Sequence, residues 1–189
     1  AYFMYEPGSV FKIFSMASFL DLGSTRDSSV YTCDAQFLFN PRQQQEKSPN
    51  VIRCLRVHGQ VTPRDIIRFS CNDGLAQIAD KTDAAAFAEK LRTFGFGKKT
   101  GIELPGEAAG IFAPVSSWSA RTKHTISFGQ EIGVTSLQIM QAATAFTNKG
   151  KTLKLSLLSE IRDASGKTVH RHRPKPLAQV VSAETAKTV

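Results

Sequence analysis

The sequence has no long hydrophobic run: no stretch of its 189 residues approaches the roughly 18–20 apolar residues that a membrane-spanning helix requires. It also does not begin with Met, and nothing near Ala1 resembles a signal peptide. We therefore expect one soluble domain taken from a longer protein, with any membrane anchor outside this chain. At 41% hydrophobic residues, the chain can bury one sizeable core.

Positive charge is in excess but is not organised along the chain. The formal net charge is +8 and the isoelectric point is about 9.6, which fits attraction to an anionic polymer or a membrane surface. Lysine and arginine are scattered, without the interleaved aromatic residues or the basic helix face that are typical of nucleic-acid binding. We therefore expect no nucleic-acid partner.

Cysteine is scarce, with three in the chain. Cys33 and Cys54 flank a polar stretch, residues 40–50, that has the composition of a surface loop, and we interpret residues 31–60 as an insertion. A disulfide between the two cysteines would suit an oxidising compartment, whereas Cys54 and His58 have a spacing found in zinc sites. No clear second pair of metal ligands accompanies them, so we predict no metal and no cofactor.

A serine–lysine pair lies near the start of the chain. A Pro-Gly turn places Ser9 at the beginning of an apolar helix, and Lys12 follows one helical turn later on the same side. A serine hydroxyl needs an adjacent base to act as a nucleophile, and a lysine can be that base only if it is held neutral. Burial among apolar neighbours would desolvate the lysine amine and lower its pKa. These neighbours are Val10, Phe11, Ile13 and Phe14.

Capping, turn and periodicity signals predict both helices and antiparallel strands. The expected helices cover residues 9–22, a segment after the Thr62 cap, about 75–81 after a turn at residues 73–74, 84–94, a segment after the Thr135 cap, and 182–189. A short strand is expected over residues 125–128, and a hairpin over residues 153–161 and from 168 onward. The predicted fold class is therefore α+β, with a helical subdomain packed on part of an antiparallel sheet.

A second small motif, Ser70-Cys71-Asn72, is predicted at a helix junction, and Cys71 has no obvious base beside it and is expected to be structural. The ordered pair of motifs resembles the transpeptidase domains of class B penicillin-binding proteins. The resemblance extends from Glu6 to about Gly150. It includes four further segments, residues 94–97, 100–107, 127–130 and 134–138.

The resemblance implies a peptidoglycan D,D-transpeptidase. Ser9 would attack the carbonyl between the two terminal D-alanines of a stem peptide, and an amine of a second strand would then take the acyl group. Lys12 would accept the serine proton, and Ser70 would relay protons toward the leaving group. Asn72 would bind the substrate backbone, and penicillins would acylate Ser9.

The resemblance also implies partners and a location. Gly129 and Gln130 would contribute to the site that binds stem peptides and β-lactams, and other proteins of cell-wall synthesis would be partners. The protein would act in cell shape or division at the periplasmic face of the inner membrane.

The third motif of this family, a Lys-Thr-Gly on a strand, has one literal match at Lys99-Thr100-Gly101. This match lies in a glycine-rich loop and is not expected to be the motif, which in relatives follows a helix resembling residues 182–189. We therefore expect a truncated transpeptidase domain that is poorly active alone, because a missing oxyanion-hole donor costs about a hundred to a thousandfold in rate. Two alternatives remain: a β-lactamase or β-lactam sensor, and a noncatalytic scaffold of the cell-wall machinery.

Overall fold

The computed structural model describes residues 2–39 and 51–189. Within these ranges the helices are α1 (Lys12–Asp21), α2 (Pro63–Arg68), α3 (Asn72–Lys81), α4 (Ala84–Thr93), α5 (Thr122–Ser127), α6 (Ser136–Thr147) and α7 (Ala183–Thr188). A 3-10 turn over Gly8–Phe11 leads directly into α1, and a second covers Val115–Ser117. No helix in the described part of the chain is long and apolar enough to cross a membrane.

The strands are short and pair as separate antiparallel ribbons. They are β1 (Tyr31–Cys33), β2 (Gln36–Leu38), β3 (Val51–Arg53), β4 (Gly59–Val61), β5 (Lys151–Leu153), β6 (Glu160–Arg162), β7 (Thr168–Arg171) and β8 (Pro176–Gln179). The pairs are β1 with β4, β2 with β3, β5 with β8, and β6 with β7. The α+β prediction is confirmed, although the described strands form two-stranded ribbons rather than one larger sheet.

Most helices begin where their capping residues predicted. Thr62 and Asp65 form a capping box, with Pro63 in the first helical turn. Thr135 and Gln138 form a second box, which fixes the start of α6. These local signals are reliable because each one satisfies backbone N–H groups that have no partner inside the helix.

The strand predicted over residues 125–128 is wrong, because this segment lies in and just after α5. The apparent alternation of Thr, Ile, Ser and Phe does not mark one buried face, since all four residues are buried. Thr125 Oγ1 donates to the carbonyl of Thr122 at 3.0 Å, and Ser127 Oγ donates to that of His124 at 2.6 Å. These bonds to the preceding turn satisfy buried hydroxyls within a helix.

The hairpin prediction is correct in part. β6 pairs with β7 across the turn at residues 163–167, as expected. Leu153, in contrast, ends β5, which pairs with β8 rather than with its neighbour in sequence. The segment interpreted as an insertion forms two antiparallel pairs. The strands β2 and β3 pair with each other, and β1 and β4, which flank them in sequence, form the second pair. The predicted surface loop, residues 40–50, lies outside the described residues.

The core around α1 is aromatic. Phe11 and Phe14 are fully buried, and their ring centroids lie 4.7 Å and 5.2 Å from that of Phe96. Val10 was expected to share this burial, but its side chain is 58% exposed. Val10 lies in the 3-10 turn before α1, where three residues complete a turn, so it points away from the face that Phe11 and Phe14 share. The packing fixes α1 against the core, and with it the position of Lys12.

Candidate active site

Ser9 is exposed in the 3-10 turn that leads into α1. The preceding residue, Gly8, has a left-handed backbone with φ of +56°. Its N–H donates to the carbonyl of Gly129 at 2.9 Å. The Pro-Gly turn thus holds the serine at the surface end of a buried helix.

Lys12 lies in the first turn of α1, and its side chain is only 2% exposed. Four oxygen atoms surround its Nζ at 2.7–3.1 Å: Ser9 Oγ, Ser70 O, Ser70 Oγ and Asn72 Oδ1. Ser70 and Asn72 are 58 and 60 positions from Lys12 in the sequence, and both contact its amine as predicted.

The environment of Lys12 makes its neutral form more accessible than that of an exposed lysine. Burial lowers the pKa of the amine to about 8, although negative charge on Cys54 and Cys71 would oppose this shift. A protonated amine has three N–H donors and no lone pair, so it cannot serve all four oxygens. A neutral amine can donate to the Ser70 carbonyl and the Asn72 amide oxygen, which only accept. Its lone pair then remains for a serine hydroxyl.

Ser70 and Asn72 lie at the junction between α2 and α3, which we call the 70–72 junction. Ser70 has a left-handed backbone with φ of +54°, and its Oγ donates to Ser9 Oγ at 2.8 Å. Asn72 is the first residue of α3, and its Nδ2 donates to the Arg53 carbonyl at 3.1 Å. This bond directs the amide oxygen toward Lys12.

The segment that contains Gly129 and Gln130 runs beside the chain that approaches Ser9. Tyr5 and Val134 exchange backbone hydrogen bonds at 2.9 and 3.0 Å, and Gly129 accepts from Gly8. The Gly129 backbone therefore supports the turn that carries Ser9. Gln130 is exposed and lines a cavity of about 340 Å³ that also includes Asn72. The structure thus brings Gln130 to the asparagine side of the site.

The literal Lys99-Thr100-Gly101 is not on a strand. The backbone N–H of Thr100 and that of Gly101 donate to the carboxylate of Glu107 at 2.7 and 3.0 Å. Thr100 Oγ1 donates to the same carboxylate at 2.5 Å. These hydrogen bonds close a compact loop and give Thr100 and Gly101 a structural role within it.

The chain matches the model of the penicillin-binding protein transpeptidase domain over residues 3–189. The chain belongs to this family. Stage V sporulation protein D of Bacillus subtilis is 31% identical over 98% of the chain, which spans 28% of that protein. The probable peptidoglycan D,D-transpeptidase PenA of Neisseria gonorrhoeae is 29% identical over 89% of the chain, which spans 27% of it.

Solved structures agree with this membership. Penicillin-binding protein 3 of Mycobacterium tuberculosis in complex with ampicillin superposes with a TM-score of 0.84, at 27% identity. The match covers the whole chain and 40% of that structure. The chain thus spans less than a third of the curated relatives described above, and less than half of this structural relative.

Sequence reasoning missed two arginines that lie beside Asn72. Arg53 and Arg121 line the same cavity as Asn72 and Gln130. Arg53 ends β3, inside the segment that we interpreted as an insertion, and Arg121 precedes α5, part of which was predicted as a strand. A single basic residue at the end of a short strand or just before a short helix carries no distinctive sequence signal.

Sequence reasoning also underestimated the cysteines. All three are free, so the structure does not contain the disulfide considered between Cys33 and Cys54. Their sulfur atoms and a ring nitrogen of His58 lie within 4.8 Å of one another. The objection that Cys54 and His58 lack a second pair of ligands is therefore wrong, because Cys33 and Cys71 complete a set of four.

Proposed function

We propose that the chain carries the acyl-transfer site of a peptidoglycan D,D-transpeptidase, with Ser9 as nucleophile. The observation that carries this proposal is the double contact on Ser9 Oγ, from Lys12 Nζ at 3.1 Å and from Ser70 Oγ at 2.8 Å. A buried amine with a lowered pKa and a second hydroxyl are what serine needs for activation and for proton relay.

The contacts support a two-step reaction. Neutral Lys12 accepts the proton of Ser9 as its Oγ attacks the carbonyl between the terminal D-alanines. The resulting ammonium returns that proton through Ser70 to the nitrogen of the departing D-alanine, and an ester to Ser9 remains. An amine of a second strand then attacks the ester and loses a proton by the reverse route, so that a new amide forms and free Ser9 is restored.

The cavity beside Asn72 is suited to an extended anionic peptide. It is lined by two amide side chains and two arginines, which provide donors for backbone carbonyls and for carboxylates. We propose that Asn72 and Gln130 bind the backbone of the stem peptide and that Arg53 and Arg121 attract its carboxylates. Gly129 contributes by supporting the Ser9 turn.

The relatives support this chemistry and a place for it. PenA is named a probable peptidoglycan D,D-transpeptidase, and the mycobacterial structural relative is a complex with ampicillin. We therefore propose that β-lactams acylate Ser9. Because peptidoglycan lies outside the cytoplasmic membrane, we propose that the site works there, tethered to the membrane by sequence outside this chain and associated with other proteins of cell-wall synthesis.

A product assay tests the proposal. The purified protein, expressed with any flanking sequence that its gene encodes, is incubated with a D-Ala-D-Ala stem peptide and an acceptor amine. We expect D-alanine release and a cross-linked product, both lost in Ser9→Ala and retained in Ser116→Ala, which changes an exposed serine. Steady hydrolysis of a chromogenic β-lactam would instead indicate a β-lactamase. Neither product in a folded protein that β-lactams do not label would favour a scaffold.

A further inference from the structure

Three cysteines and one histidine gather behind the 70–72 junction. We call them the cysteine–histidine cluster, and its members are Cys33, Cys54, His58 and Cys71. They come from three separate parts of the chain: the end of β1, the segment between β3 and β4, and the start of α3. Cys33 and Cys71 are buried, and the other two are partly buried.

Three distances within the cluster match those of a tetrahedral metal site. The Nδ1 atom of His58 lies 3.4 Å from Cys33 Sγ and 3.6 Å from Cys54 Sγ, and Cys54 Sγ lies 3.8 Å from Cys71 Sγ. Zinc bonds of about 2.3 Å to sulfur and 2.0–2.1 Å to nitrogen, at tetrahedral angles, place the ligand atoms about 3.8 Å (S to S) and about 3.6 Å (S to N) apart.

We propose that the cysteine–histidine cluster is a structural zinc site. Thiolate and imidazole ligands in a tetrahedral arrangement select zinc over hard cations such as magnesium and calcium. Four protein ligands fill the coordination sphere, so the metal would hold the fold rather than bind substrate. Binding requires the thiols to release their protons to solvent as the sulfur–zinc bonds form, with no change in oxidation state.

The surroundings of the ligands fit this role. Cys71 Sγ accepts a hydrogen bond from the N–H of Gly74 at 3.3 Å, in the first turn of α3. The His58 ring stacks on Phe69 at 5.5 Å with an interplanar angle of 11°, which fixes the orientation of Nδ1 toward the sulfurs.

The zinc would position two residues of the proposed catalytic site. Cys71 lies between Ser70 and Asn72, and both neighbours contact Lys12 Nζ. Ser70 also has the left-handed backbone, which a non-glycine residue holds only when its surroundings enforce it. A metal bond at Cys71 would anchor the junction to the β1 and β3–β4 segments.

Metal content gives the direct test. The protein is expressed in zinc-containing medium, purified, and exchanged into metal-free buffer. Its metal content is then measured by mass spectrometry. We expect about one zinc per chain, and loss of that zinc in His58→Ala and Cys33→Ser but not in His170→Ala, which changes an exposed histidine on β7. Cobalt substitution should give the sulfur-to-cobalt charge-transfer absorption of a tetrahedral thiolate site. Ser9→Ala should keep its zinc, so this result does not depend on the proposed acyl transfer.

Other outcomes would overturn the proposal. One such outcome is a folded wild-type protein that binds neither zinc nor cobalt when one equivalent of the metal is supplied. Others are full zinc content in His58→Ala, or a disulfide between any two of the cysteines in peptide maps made without reduction. A second readout tests positioning: removal of zinc with a chelator should lower the β-lactam acylation rate at least about tenfold, with recovery on zinc addition. An unchanged rate in metal-free protein would show that the metal does not position the junction.

Discussion

Gly8 and Gly129 lie against each other beside the turn that carries Ser9, and Gly129 has no room there for a side chain. A Cβ atom at Gly129 would lie 2.2 Å from the carbonyl oxygen of Gly8, and φ at Gly129 is +80°. The contact gives Gly129 a structural role at this turn, although Gly129 does not contact Lys12.

Gly129→Ala should therefore damage both folding and chemistry. We expect the free energy of unfolding to fall by about 1–3 kcal/mol, because the substitution adds strain and a clash with backbone. We also expect the acylation rate to fall more than tenfold, since the Ser9 turn must move. Urea unfolding and β-lactam acylation measure the two effects. Gly166→Ala is the matched control: φ there is +83°, but the added Cβ meets no atom within 4 Å. It should cost stability only, and equal acylation losses in both variants would contradict the account.

Removal of the lysine amine should abolish activation of Ser9. Lys12→Ala should lower the acylation rate by about a hundred to ten-thousandfold, the usual contribution of a general base. Stopped-flow measurement with a fluorescent β-lactam checks this, with circular dichroism as a control for folding. Lys151→Ala, at an exposed lysine on β5, should leave the rate unchanged. A loss smaller than tenfold in folded Lys12→Ala would exclude the amine as the base.

The pH profile should follow the Lys12 amine. Burial lowers its pKa to about 8, and the neutral amine is the active form. The acylation rate should therefore rise with pH and level off above a midpoint near 8. Measurements with a pH-stable β-lactam across this range check the direction. A rate that falls as pH rises through 8, or a flat profile, would be inconsistent with lysine as the base.

The loop at residues 100–107 should depend on the Glu107 carboxylate. Burial alone would raise the pKa of Glu107, but hydrogen bonds from Thr100 and Gly101 outweigh it and leave this pKa below its usual value. The carboxylate thus stabilises the fold above its unfolded-state pKa, and this contribution is lost as pH falls through the lower, folded-state pKa. Glu107→Gln should cost about 1–3 kcal/mol at neutral pH and less in acid, as measured by urea unfolding. Glu89→Gln, at an exposed position, should cost nothing measurable.

Local signals in the sequence predicted most helix starts and the contact between Ser9 and Lys12. The capping residues Thr62 and Thr135 act within a few positions, so their effect can be read without the fold. Ser9 and Lys12 are likewise one helical turn apart. The helical conformation of residues 125–128 could not be predicted from local signals. All four residues are buried, and their hydroxyl groups bond to the preceding helical turn, so the alternation of polar and apolar residues does not mark a strand.

Long-range assembly was the main part that the sequence did not reveal. Cys33 and Cys71 are 38 positions apart, and only the pairing of β1 with β4 and the start of α3 bring them beside His58. The cavity arginines, Arg53 and Arg121, similarly come from segments without a regular pattern. Tertiary pairing, rather than residue type, creates both features.

The most direct test of the central claim is the site of β-lactam attachment. The purified protein, with its flanking sequence, is exposed to a penicillin, and intact-mass measurement and peptide mapping locate the adduct. We predict one adduct, on the peptide that contains Ser9, and none in Ser9→Ala, while Ser116→Ala is labelled like wild type. An adduct at another residue, or unchanged labelling of Ser9→Ala, would contradict the account.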